Sequence, residues 1–280
     1  MSVVFAVCCA LVYGVADYCG GRASRSTSAF AVTVVGQTAS LVIVAALLPV
    51  LGDPSPSQAS WAWAAGAGVF GAAGLLFFYS ALASGAVNIV APISAVVSAV
   101  VPAAVGLATG ERPGVLALVG VLIAVVAIAL VSGAGGRTGT AIARRLIVYA
   151  FAGGLGFGMV FVMFERTDVH SGLWPLLAAR CASIPVILVA ARTAGVSVGM
   201  PRQVMPIALV SGVLDMAANL FYLLAVRRGL LTIVSVVAAM YPASTVLLAY
   251  RLDGERSSRL QVVGFGCVVV ALTLVITGRP

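Results

Sequence analysis

The chain contains no lysine, a single histidine (His170) and only 9% charged residues over 280 positions. A soluble domain carries about 25% charged residues, so this composition cannot build an ordinary water-facing surface. The same shortages thin out the enzyme chemistries. There is no H-E-x-x-H metal motif and no lysine for a Ser–Lys dyad. The five cysteines, Cys8, Cys9, Cys19, Cys181 and Cys267, have no metal-ligand spacing and fall inside apolar runs, where they read as small hydrophobes. No cofactor, metal or enzymatic activity is expected. No basic stretch precedes the first apolar run, so no cleaved signal peptide is expected either.

What is present is apolar: 62% hydrophobic residues and a mean hydropathy of +1.16. The net charge of +8 is carried entirely by arginine. These arginines cluster at the ends of apolar runs, so the basic balance predicts membrane lipids as partners and no nucleic acid. All-arginine usage with abundant Ala, Gly and Val suggests a GC-rich bacterial genome. About 20 apolar residues span the ~30 Å hydrocarbon core as a helix. Runs of that length are expected near 2–20, 29–50, 61–83, 86–108, 113–132, 146–164, 172–194, 203–226, 229–251 and 258–277. The connections are short, the longest being Gly133–Arg145 and Leu51–Ser60.

The chain also matches itself at a constant shift of 144 residues. Leu11, Gly14 and Arg22 meet Leu155, Gly158 and Arg166. Phe77 meets Phe221, and Gly85, Ile89 and Val90 meet Gly229, Ile233 and Val234. Gly110-Glu111-Arg112 meets Gly254-Glu255-Arg256, and Gly120, Val125, Val126, Ala127 and Leu130 meet Gly264, Val269, Val270, Ala271 and Leu274. The expected division is a first repeat at 1–133, a linker at 134–145 and a second repeat at 146–280. Each repeat holds five spans. Five is odd, so the second repeat starts from the opposite face of the membrane. The expected fold is an all-α membrane protein, ten transmembrane helices as two inverted five-helix repeats around a central cavity.

Charges inside spans are costly, by about 2.5–3.5 kcal/mol each on insertion scales, and so point to function. Three occur: Asp17, Arg180 and Asp215. Asp215 and Asn219 share a helix face at i, i+4. Arg180 and Asp215 lie at similar distances from the turn between spans seven and eight, so antiparallel neighbours bring them to one depth. The pair either only ties two spans together or faces the cavity and binds substrate or a proton. Asp17 is expected about one turn from the end of its span, either at the headgroups near Arg22 and Arg25 or at the cavity. Gln37, Asn88 and Tyr241 are further cavity candidates, with Tyr222 and Phe78 behind Tyr241. Gly66-Ala67-Gly68-Val69-Phe70-Gly71 satisfies G-x-G-x-x-G but lies within an apolar span, so with Gly74 it reads as a close-packing face, as do Gly154, Gly156 and Gly158. Trp61, Trp63 and Trp174 sit near span ends, as interfacial residues do. Glu111-Arg112 and Glu255-Arg256 are expected at the headgroups. An aspartyl intramembrane protease would need Gly-x-Gly-Asp, and Gly212-Val213-Leu214-Asp215 lacks the second glycine.

The duplicated five-span unit, with Gly-Glu-Arg closing the fourth span of each copy, resembles the EamA domain pair of the drug/metabolite transporter superfamily. Tyr13-Gly14-Val15-Ala16-Asp17-Tyr18-Cys19-Gly20-Gly21, Leu173-Trp174-Pro175-Leu176-Leu177-Ala178-Ala179-Arg180, Leu214-Asp215-Met216-Ala217-Ala218-Asn219 and Tyr241-Pro242-Ala243-Ser244-Thr245-Val246-Leu247-Leu248-Ala249 carry the likeness further. The resemblance implies a secondary transporter of the bacterial plasma membrane that exports a small metabolite or drug by alternating access. Coupling is to protons, or transport is facilitative. A channel-like or lipid-handling protein built on the same cavity is the alternative. The resemblance implies both termini in the cytoplasm. Loop arginines point the other way, because Arg22, Arg25, Arg137, Arg144, Arg145, Arg192, Arg202, Arg251, Arg256 and Arg259 crowd the face opposite the termini. A C-terminal reporter fusion discriminates the two.

Overall fold

A computed structural model describes the chain except residues 53, 83–86, 132–143, 253–257 and 279–280, with side chains also left out at 79–82, 87–92 and 249. The described residues form helices only: α1 Ser2–Ser24, α2 Ala29–Leu51, α3 Gln58–Leu82, α4 Val87–Ala108, α5 Val115–Val131, α6 Arg144–Glu165, α7 Trp174–Thr193, α8 Met205–Val226, α9 Leu231–Ala238, α10 Pro242–Leu252 and α11 Arg259–Thr277. Eight helical stretches, with α9 and α10 taken as one, are long and apolar enough to cross a membrane; Ile93–Ala108 and α5 are shorter. Each expected run coincides with a helix to within a few residues. Local signals set the ends. Ser28 accepts from the backbone N–H groups of Phe30 and Ala31 to start α2, and Gly52, at φ 65°, ends it. Ser258 and Gln261 form a reciprocal capping box on α11.

The ninth run is not one helix. Pro242 has no N–H to give Ala238, and the chain tightens to i−3 bonds, Met240 N to Val237 O at 3.1 Å and Tyr241 N to Ala238 O at 3.4 Å. The halves differ in burial: Leu231–Met240 is buried throughout, whereas Tyr241–Val246 is half-exposed. Pro242→Ala is expected to let the helix close through Tyr241. It should stabilise the protein by about 1 kcal/mol, part of the roughly 3 kcal/mol a proline costs in a regular helix. Transport should slow severalfold if the break is used as a hinge. Detergent melting curves and initial transport rates check both, and unchanged values would exclude the hinge.

Packing alternates between the halves of the chain. The most extensive pairs are α1 with α8, α3 with α6 and α5 with α11, followed by α4 with α6, α3 with α7, α2 with α8 and α2 with α7. Exchanging each helix for its counterpart 144 residues away turns the α1·α8 pair into α6·α3, and α2·α8 into α7·α3. The counterparts α2 and α7 meet each other, Gln37 touching Ser183 while Ser40 touches Arg180. The numbers rise on one helix as they fall on the other, so these two run antiparallel. α5 and α11 do the same, Gly120 lying beside Ala271 and Val275 while Val131 lies beside Gly264. The glycine faces read from the sequence are packing faces. Gly66, Gly71 and Gly74 meet α6, and Gly154 and Gly158 meet α4.

One end of the bundle, where the N-terminus lies, is fastened across loops. Ser57 N donates to Asp168 Oδ2 at 3.0 Å, Asp168 N to Ser60 Oγ at 3.0 Å, and Arg227 Nη2 to Asp168 O at 3.1 Å and Ser171 Oγ at 2.9 Å. The hydrogen bonds from Ser57, backbone first and then side chain, hold the Asp168 carboxyl below its ordinary pKa. Trp61 and Trp174 meet edge to face at this end, with centroids 5.6 Å apart. At the opposite end Gln261 Nε2 of α11 donates to Val131 O of α5 at 3.2 Å. α4 packs on α9 at the terminal end.

Candidate functional site

The polar groups inside the bundle collect where α1, α2, α7, α8 and the α9–α10 break come together. Arg180 of α7 and Asp215 of α8 form an ion pair, Nη2 to Oδ2 at 2.5 Å. These two helices otherwise barely touch. The guanidinium reaches past α2 and donates from Nε to Ser40 Oγ at 3.1 Å. Asn219 Nδ2 donates to Asp215 O at 2.8 Å and to Asp215 Oδ2 at 3.3 Å. One turn along α7, Ser183 Oγ donates to Gln37 Oε1. The arginine side chain is 10% exposed and the aspartate 37%. The pair is therefore dry on the arginine side and open on the aspartate side.

α1 supplies the facing wall. It runs antiparallel to α8, because the Phe5 and Phe221 rings lie 6.4 Å apart while Ser211 Oγ donates to Ala16 O at 2.8 Å. That register places Tyr13 level with Asp215 and Asp17 about a turn closer to the end away from the fastened loops. Asp17 has an exposed side chain. Because α1 extends to Ser24, it lies deeper than its expected place one turn from the helix end. The Tyr13 ring meets Tyr241 at 6.2 Å. At that depth stand two carboxylates and one guanidinium, flanked by two phenols.

The sequence candidates Asp17, Arg180, Asp215, Asn219, Gln37 and Tyr241 thus share one neighbourhood. Asn88 falls in the first turn of α4, and its side chain is outside the described residues. Tyr222 and Phe78 do not stand behind Tyr241 as expected. Tyr222 is fully buried, stacks on Phe161 at 4.4 Å and donates to Phe161 O at 2.9 Å. Phe78 packs on Phe157 at 5.8 Å. A phenol whose hydroxyl is satisfied by a backbone carbonyl serves as core. Ser40 and Ser183 escaped the sequence reading. A serine in an apolar helix most often bonds its own backbone, so nothing in its spacing marks one that reaches a neighbour.

Glu111, expected as a span-ending charge, also has partners across the bundle. Its carboxylate accepts from Leu231 N at 2.5 Å, Thr232 N at 2.8 Å and Thr232 Oγ1 at 2.5 Å, at the start of α9. Its twin Glu255, with Arg256, lies outside the described residues. Two surface hollows of about 480 and 470 Å³ are found at the α7 end, around Arg192, and between α5 and α11, around Val126. Neither touches the polar cluster. The second is almost wholly apolar and faces outward, which is the behaviour of a lipid-contacting groove.

A model of the EamA-like transporter family matches residues 1–133 and 144–277. No curated protein matches the sequence. A solved crystal structure, described simply as that of a protein, is 17% identical and superposes with a TM-score of 0.73, covering 98% of this chain and 98% of the other. At that identity the likeness carries the fold.

Proposed function

The chain belongs to the EamA-like transporter family, and on that premise we propose that it is a secondary exporter of a small metabolite or drug in a bacterial plasma membrane, working by alternating access between two inverted five-helix repeats. Support for the inversion comes from the counterpart helices: α2 meets α7 antiparallel, and α5 meets α11 antiparallel. Parallel repeats would run such pairs the same way. Support for alternating access comes from the closed end of the bundle. α4 packs on α9 where the loops are fastened, and the Asp215 side of the polar cluster is partly exposed. In a rocking carrier of like halves, one end is closed while the other gives access to the cargo site.

The observation that carries the reading is the half-exposed Arg180–Asp215 pair at the meeting of both halves. Asp215, Asn219, Arg180, Asp17, Tyr241, Asn88 and Gln37 form the cargo and proton path in this proposal. Two acids against one arginine favour cargo bearing an amine or another cation, held beside Tyr13 and Tyr241. The sequence holds no phosphate-cradling loop, so the driving force is a gradient.

Counterflow in proteoliposomes tests the proposal. Candidate cargo is first found by comparing metabolites of cells lacking and overexpressing the protein. A carrier gives saturable, trans-stimulated exchange; a channel gives neither, and that result would overturn the reading. Within the same assay, Asp17→Asn is expected to raise KM about tenfold, or roughly 1.4 kcal/mol, with little change in melting temperature. An unaltered KM removes Asp17 from the cargo path.

A further inference from the structure

The Gly-Glu-Arg tripeptide that ends α4 has a local geometry with a definite purpose. Gly110 N bonds Leu107 O at 3.2 Å and Glu111 N bonds Gly106 O at 3.0 Å. With Gly110 at φ 100°, this is a Schellman motif, Gly110 taking the left-handed position and Glu111 the one after it. A hydrophobic residue usually occupies that second place and folds back on its own helix. Here it is a carboxylate, and it folds back across the boundary between the halves. Gly106 leaves it room: a Cβ there would meet Glu111 Oε2 and Thr232 Oγ1, both at 2.5 Å. The carboxylate takes both backbone N–H groups at the first turn of α9 and the Thr232 hydroxyl, while Thr232 is fully buried. The positive end of one helix is thereby tied to the negative charge at the end of its counterpart.

We propose that Glu111 is the latch that holds the fastened end of the transporter shut. This rests on the alternating-access reading above. To open that end, α9 must part from α4, and these three bonds, with a longer one from Thr232 Oγ1 to Ala103 O at 3.4 Å, are polar contacts that must break. Once they break, water replaces the carboxylate at the N–H groups, so the latch is reversible. Glu111 lies in the loop beyond α4, away from the Arg180–Asp215 cluster, and therefore sets the balance of states without touching cargo. Arg112 takes no part in the latch. Its side chain is turned to solvent and donates to Glu111 O at 3.2 Å.

The test is a distance measurement between spin labels at Thr109 and Arg228, which flank the latch in the full-length protein, with counterflow run in parallel. Wild type is expected to show a dominant short distance and a minor long one. Glu111→Gln, which keeps the shape and removes the charge, is expected to shift the ratio toward the long distance by about tenfold or more, the size expected for losing charge-assisted bonds. Thr232→Val, which removes one bond of three, should shift it less in the same direction and serves if the first variant folds poorly. The maximal rate should change and KM should not. An unmoved distance ratio in both variants overturns the latch while leaving the carrier intact. A single distance in wild type under every cargo gradient, without counterflow, overturns the carrier reading instead.

Discussion

Arg180→Ala is expected to abolish transport and to destabilise the protein by about 3–5 kcal/mol, the range for breaking a buried ion pair from one side. Removing the guanidinium leaves the Asp215 carboxylate with Asn219 alone and strands the Ser40 hydroxyl. Because Asp215 is 37% exposed, water meets part of that need, which places the effect at the lower end of the range. Asp215→Asn should be milder in stability, since an amide still reaches Arg180, but it removes the acid from the cargo path. The informative variant is the double one, Arg180→Ala with Asp215→Asn. If the pair serves cargo, the double variant recovers much of the lost stability and none of the transport. If it recovers both, the ion pair is a strut. Melting in detergent and counterflow in liposomes, read on all four proteins, give the coupling energy of the pair directly.

Much of this was legible in the sequence, for a physical reason. The transfer cost of charge and unsatisfied backbone in lipid is so large that apolar runs are forced to be helices and their ends are marked by Arg, Gly and Pro. The duplication made α2 and α7 counterparts before any coordinates, and Arg180 with Asp215 could be placed at one depth by counting residues. What stayed hidden depends on which neighbour stands alongside. Glu111 reads as a headgroup charge until the start of α9 is seen in front of it. Tyr222 reads as a cavity aromatic until Phe161 O takes its hydroxyl. The break between α9 and α10 was half visible, since Pro242 announces a lost hydrogen bond. Its use as the border between a buried half-helix and an open one is tertiary.

The same limit applies to a close helix contact beside the site, where a second large effect is expected. Gly36 of α2 and Gly212 of α8 touch backbone to backbone. Each is isolated among larger residues, so neither announced a packing face as the clustered glycines of α3 and α6 did. Their surroundings are unequal. A Cβ on Gly36 would meet Gly212 Cα at 3.1 Å, which a small shift relieves, but a Cβ on Gly212 would overlap the Gly36 backbone itself. Gly36→Ala is therefore expected to cost about 1 kcal/mol, and Gly212→Val about 3 kcal/mol with a poor yield of folded protein. In lipid, helices associate by close fit rather than by escape from water, so nothing offsets the lost contact. Function should fall faster than stability. Gly212 precedes Asp215 by less than one turn, and Gly36 adjoins Gln37. Pushing α8 off α2 moves the acid away from an arginine that Ser40 of α2 holds in place. Gly212→Ala should already lose most counterflow while melting only moderately early, whereas Gly36→Ala keeps both. Equal losses from the two alanine variants would mean that α2 and α8 do not set the geometry of the pair.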